Sequence, residues 1–189
     1  MTVLRGAAWA CALVAGGLVI GGCTPDEPEP RPTTPVETST SAPETSEPTV
    51  AAPEMPAQAN EPSAAGAEAW VQHWFDLLNY AKRTGDTEPL AAVSGQDCQV
   101  CRSTIESIDS DYAAGGQVQG GEAAVVSLLS PPPDARNLVA VGTTFTEAES
   151  TVTTSAGATE TRSATPETTV DFVLVYEDDA WVLRGIGTR

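Results

Sequence analysis

Trp70-Val71-Gln72-His73-Trp74-Phe75-Asp76-Leu77-Leu78-Asn79-Tyr80-Ala81 is the stretch from which the fold can be read. Trp70, Val71, Trp74, Phe75, Leu77, Leu78 and Ala81 recur at helical spacing and form one broad apolar face. Gln72, Asp76, Asn79 and Arg83 occupy the opposite face. The helix opens near Ala67-Glu68 and stops at Thr84-Gly85-Asp86, with Gly85 placed as a left-handed cap. Two tryptophans and a phenylalanine on one face supply a large buried area, so this helix closes over a core. His73, the only histidine, falls on the flank of the helix and is expected as an exposed or half-buried surface residue.

Downstream, Asp86 is placed to cap a short second helix over Thr87 to Val93, with Pro89 in its first turn. Asp97 is placed to cap a third helix from Cys98 to about Ala114, whose inner face reads Cys101, Ile105, Ile108 and Tyr112. Gly115-Gly116 ends it. After Gly120-Gly121 the period changes to that of strands. Val125 to Leu129 is one apolar run, closed by Pro131 to Pro133, and Leu138 to Thr146 is a second, extending as a Thr-rich arm through Val152. Ser155-Ala156-Gly157 turns the arm back into Thr159 to Ser163, and Pro166 marks a sheet edge or a bulge. Thr168 to Tyr176 is the clearest strand; Glu177-Asp178-Asp179 turns it into Ala180 to Ile186, with Trp181 and Leu183 on one side. The expected class is α+β: three N-terminal helices packed on a curved antiparallel four-strand sheet.

This folded unit covers residues 67–189, and two segments of different composition precede it. Arg5 precedes an unbroken run of apolar and small residues from Gly6 to Ile20, the pattern of a secretory signal. Ile20-Gly21-Gly22-Cys23 resembles the lipobox of bacterial lipoproteins, in which a cysteine follows an aliphatic and two small residues. That resemblance implies removal of residues 1–22 and diacylglyceryl attachment to Cys23, which supplies two chains and hence a stable anchor. It places the mature protein on the outer side of a cell membrane. The competing readings are a plain transmembrane anchor, for which this run is at the short end, and an ordinary signal with an incidental cysteine.

Residues 23–66 carry ten prolines among Thr, Ser, Glu and Ala, with no aromatic residue. Such a segment buries too little surface to offset its ordering entropy, so a disordered tether is expected. At roughly 3.1 Å per residue, its length reaches on the order of 100 Å when taut. Its Thr and Ser among prolines suit either an O-glycosylated stalk or an unmodified spacer. The formal net charge of −17, with every acidic residue after Cys23, argues against nucleic acid as a partner.

Once Cys11 is lost with the signal and Cys23 is lipidated, Cys98 and Cys101 remain as partners for a disulfide in an oxidising setting. Their place at a helix N-terminus also admits thiol–disulfide exchange. Against exchange, no hydrophobic strand feeds the motif, and the neighbouring Asp97 disfavours a thiolate. No second ligand pair is present for zinc.

The order helix, Thr-Gly-Asp break, two further helices and a meander ending in Trp-x-Leu resembles the nuclear-transport-factor-2-like cone, shared by ketosteroid isomerase and scytalone dehydratase. More narrowly, Trp74-Phe75-x-Leu77-Leu78-Asn79-Tyr80-Ala81, Thr84-Gly85-Asp86, Cys98-x-x-Cys101 and the double glycine are similar to an uncharacterised domain family of actinobacterial lipoproteins. The cone resemblance implies an interior pocket that holds a carboxylate and a hydroxyl in its enzymes. Trp70, Trp74, Tyr80, Tyr112, Asp171 and Tyr176 are the candidate pocket residues. Asp171 points inward only if Phe172 and Leu174 point outward, and the larger side chains are expected to take the core. With no second histidine, serine-centred motif or glycine-rich phosphate loop, no cofactor or catalysis is expected. The expected role is non-catalytic binding of an envelope protein or a small apolar ligand; the alternatives are an isomerase or dehydratase and a thiol–disulfide exchanger.

Overall fold

The computed structural model describes residues 50–188, and the expected signal, Cys23 and residues 24–49 of the tether lie outside them. A 3-10 turn, Ala57–Asn60, leads into α1 (Ala64–Thr84), α2 (Glu88–Val93) and α3 (Gln99–Tyr112). Seven strands follow: β1 (Gln117–Gly120), β2 (Ala123–Leu129), β3 (Leu138–Glu147), β4 (Ser150–Thr153), β5 (Thr159–Arg162), β6 (Thr165–Glu177) and β7 (Ala180–Thr188). The described residues form an α+β unit with three α-helices and two antiparallel sheets, ordered β2-β3-β6-β7 and β1-β4-β5.

The second sheet corrects the expected single four-strand sheet. Its first strand, Gln117-Val118-Gln119-Gly120, shows no apolar alternation and pairs with β4 some thirty residues downstream (Gly120 opposite Ser150). Local pattern cannot announce such a strand, because long-range pairing and not burial periodicity holds it. The arm expected at 150–163 is present as β4 and β5, but it belongs to this smaller sheet. Pro166 sits in β6 where the register against β3 shifts between Phe145 and Glu147, which is the bulge its missing N–H requires. Asp178 and Asp179 both have positive φ, 50° and 62°, as a two-residue hairpin turn between β6 and β7 demands.

α1 is the organising element. Ser63 caps it by accepting from the Gly66 N–H at 3.0 Å, and Gly85 closes it at φ 75°. A Cβ on Gly85 would lie 2.6 Å from the Tyr112 ring, so the residue is required by contact as well as by conformation. Trp74, Phe75, Phe145 and Phe172 interlock, with Trp74 edge-on to Phe172 at 5.2 Å and Phe75 tilted against Phe172 at 5.7 Å. These rings fill the space between α1 and the four-stranded sheet.

Burial of α1 extends well beyond the tryptophan face, because the 3-10 turn, α2, β1, β2 and β3 all contact it. His73 is therefore buried, with 4 % exposure, where a surface position was expected. Its Nδ1 has no hydrogen-bond partner, and burial pushes its pKa below the ordinary 6.5 while Asp76 pulls it back. Asn79, on the expected solvent face, bonds the backbone of β2 in both directions: Nδ2 donates to Ala123 O and Oδ1 accepts from Ala123 N–H, each at 2.8 Å.

Residues 57–66, assigned to the tether by composition, carry the 3-10 turn and the start of α1. Few of their side chains can be buried, so they are held by their backbone. Tyr176 Oη donates to Asn60 O at 2.8 Å and Trp181 Nε1 to Glu61 O at 3.0 Å, while the two rings pack edge to face.

The buried polar groups of α1 are open to measurement. Asn79→Ala strands both Ala123 backbone groups and lowers stability by about 2 kcal/mol, read as a lower urea midpoint at unchanged slope. His73 binds a proton less readily folded than unfolded. Its share of stability is therefore complete above pH 6.5 and is lost as pH falls from there through the lower folded value. His73→Gln removes that part of the pH dependence, measured as urea midpoints on either side of pH 6.5.

Candidate functional site

The six candidate pocket residues do not meet in one cavity. Trp74 is core, its Nε1 donating to Ser94 Oγ at 3.2 Å. Tyr80 Oη donates to Asp86 Oδ2 at 2.8 Å, a bond that raises the phenol pKa. Tyr112 Oη donates to Lys82 O at 2.7 Å, and burial raises its pKa. Asp171 is half-buried on the face of β6 opposite the buried Phe172 and Leu174, as the size argument expected. Tyr176 holds the segment before α1, as described above. Trp70 lines a small cavity of about 260 Å³ beside Met55, Val93 and Trp181. The interior that a cone would leave hollow is occupied at its centre by the Trp74, Phe75 and Phe172 rings.

A larger cleft, about 590 Å³, opens between α3 and the small sheet. It has the size of a ligand site. Helical periodicity explains its α3 wall. Cys101 and Ile108 turn into the core, so the interleaved face at Val100, Ser103, Thr104, Ser107 and Asp111 lines the cleft. The facing wall comes from β1, β4 and β5 through Val118, Ser150 and Arg162, with Ser163 and Thr165 at the crossing into β6.

Two ion pairs frame the cleft. Lys82, from the last turn of α1, pairs with Glu147 at the end of β3 and donates to Gly121 O at 2.9 Å. The other oxygen of Glu147 accepts from Thr165 Oγ1 at 3.2 Å. Arg162 spans to α3 with two parallel bonds onto Asp111, at 2.6 and 2.7 Å. These bonds raise the guanidinium pKa further, and Asp111's side chain is only 11 % exposed. The bidentate geometry makes this clasp stronger than an ordinary surface pair. None of these four residues was read from the sequence as a site. The signal available was the isolated Lys82, the only lysine in the chain, on a helix flank otherwise read as core or solvent.

The Cys-x-x-Cys pair forms a disulfide, Cys98–Cys101, with both residues 1 % exposed. Cys98, not the expected Asp97, is the N-cap of α3, its sulfur accepting from the Cys101 N–H at 3.2 Å. The preceding loop lies hard against β7: a Cβ on Gly95 would come within 1.9 Å of Leu183 O. The bridge thus pins the loop that covers this sheet edge, and sulfurs so enclosed offer an external thiolate no line of attack. Among the described residues no cluster of His, Cys, Asp and Glu could hold a metal ion.

The chain belongs to the Family of unknown function (DUF6318), whose model matches residues 39–186. No curated protein matches it. Among solved structures it is similar to Aln2 from a Streptomyces species, at 14 % identity over 65 % of this chain and 87 % of that one, with a TM-score of 0.41. It is also similar to the intermembrane space region of the chloroplast protein ARC6, at 16 % identity over 72 % and 100 %, TM-score 0.43. An uncharacterized protein with a cystatin-like fold from Caulobacter vibrioides is similar at 11 % identity over 61 % and 83 %, TM-score 0.37. Likenesses at these scores carry no argument about chemistry.

Arg162→Ala releases the arm from α3. Hydrogen exchange is expected to speed up across β4 and β5 and to stay unchanged in β6 and β7. Opening the disulfide by a Cys98→Ala, Cys101→Ala double substitution lowers stability by about 2 kcal/mol, from the chain-entropy estimate for so short a loop, read by urea unfolding.

Proposed function

We propose that this DUF6318 chain is a lipid-anchored lipoprotein of the cell envelope, whose folded domain binds a small polar ligand without turning it over. The anchoring half of the reading is supported by Ile20-Gly21-Gly22-Cys23 at the end of an apolar run, followed by a Pro-, Ser- and Thr-rich spacer. The binding half is carried by one observation: the site-sized cleft lies outside the aromatic core, between α3 and the β4–β5 arm. Helices on one side of a curved sheet are also the layout that the cone resemblance implies, which makes a cleft at its rim a natural ligand entrance.

The cleft mixes polar and apolar surface, and its hydroxyls and two ion pairs favour a ligand with hydrogen-bonding groups over the wholly apolar one expected from the cone resemblance. The isomerase or dehydratase reading asks for a carboxylate and a hydroxyl converging in an interior pocket. Asp171, Tyr80, Tyr112 and Tyr176 sit apart, and the three hydroxyls are engaged with Asp86, Lys82 O and Asn60 O. Thiol exchange is disfavoured by the enclosure of both sulfurs.

Cys23→Ala in the full chain tests the anchor. The unsubstituted protein should partition with membranes and yield an N-terminal Cys23 peptide carrying diacylglycerol by mass spectrometry. The variant should lose the lipid. An unmodified Cys23, or an intact Met1 start in membrane-derived material, contradicts the reading.

A further inference from the structure

We propose that the cleft between α3 and the β4–β5 arm takes a neutral, hydroxyl-rich ligand, a mono- or disaccharide; this rests on the reading of that cleft as the ligand site. The charge arrangement carries the inference. The two cations of the cleft are each already matched: Lys82 by Glu147, and Arg162 by Asp111. An anionic ligand meets cations whose charge Asp111 and Glu147 already offset, so it gains a full ion pair only by displacing one of those carboxylates, and a cationic ligand only by displacing Lys82 or Arg162. Either exchange strands a partly enclosed charge that has lost its partner, at substantial cost. An uncharged ligand leaves both pairs intact. The acidic chain as a whole adds a field that opposes small anions.

Hydrogen-bonding capacity points the same way. A guanidinium has five N–H donors; Arg162 spends two on Asp111 and turns its Nε toward Glu160 at 3.7 Å, which leaves the second N–H of each terminal nitrogen for a ligand. The paired carboxylates retain lone pairs. Ser107, Thr104, Ser150 and Ser163 add hydroxyls that both donate and accept, as sugar hydroxyls do. Val100 and Val118 supply apolar surface for the C–H face of a pyranose ring. The volume, about 590 Å³, accommodates one or two such rings.

The single lysine provides the readout, because the full chain labelled with ¹⁵N-lysine gives one residue's signals, those of Lys82. The neutral probes are trehalose, maltose and diacetylchitobiose; the charged probes are glutamate and inorganic phosphate. Titrations are run at about 0.01 M and about 1 M salt, between which the Debye length falls from roughly 30 Å to 3 Å. The expected result is a saturable shift of Lys82 with at least one saccharide, at affinities that agree within about twofold across that salt range. Ser107→Leu, at an exposed position of the cleft wall, should weaken that binding about tenfold or more while Lys82 keeps its unliganded shift. A shift with glutamate or phosphate alone, weakened by salt, overturns the saccharide assignment and leaves the cleft as a ligand site. A Lys82 signal that no probe moves overturns both.

Discussion

One ammonium group ties this structure together. Lys82 leaves the last turn of α1, where a cation complements the helix C-terminus. It donates to the carbonyl of Gly121 between β1 and β2, and pairs with Glu147 at the end of β3. Glu147 in turn receives Thr165 at the start of β6. The two sheets diverge around this point: β1 and β2 leave it in opposite directions, and β3 gives way to the arm. With 18 % of its side chain exposed, Lys82 is sheltered enough that its pairing is only partly screened by salt. The floor of the cleft and the junction of the sheets are therefore one feature.

That arrangement decides where chemistry can occur. α1 presents its rings to the four-stranded sheet and closes the centre of the core with Trp74, Phe75 and Phe172. The larger open space lies on the far side of Lys82, walled by α3 and by a short sheet whose edge is clasped through Arg162. A filled centre with a framed rim suits recognition at the surface of the domain. It leaves the interior to stability.

Much of the fold was legible in the sequence. The α1 stripe, its Gly85 stop, the Asp178-Asp179 turn, the bulge at Pro166 and the outward Asp171 follow from local rules of periodicity, positive φ and missing N–H donors. The residues that escaped reading act over long separations. Asn79 looks like a solvent residue until Ala123 is beside it, and Gln117 to Gly120 looks like a loop until β4 arrives. His73 misled for the same reason: its flank is covered by elements whose approach no helical wheel records. The cleft is assembled from α1, α3 and strand-side positions spread from Val118 to Thr165, so no contiguous motif announces it.

The junction of the two sheets depends on the coupling between Lys82 and Glu147. A double-mutant cycle with Lys82→Met and Glu147→Gln, read by urea unfolding with hydrogen exchange followed in β1, β4 and β5, measures it directly. The predicted result is a coupling of about 1 kcal/mol or more, with faster exchange in the small sheet in either single variant. Effects that add to within about 0.3 to 0.5 kcal/mol, with exchange in the small sheet unchanged, would contradict it.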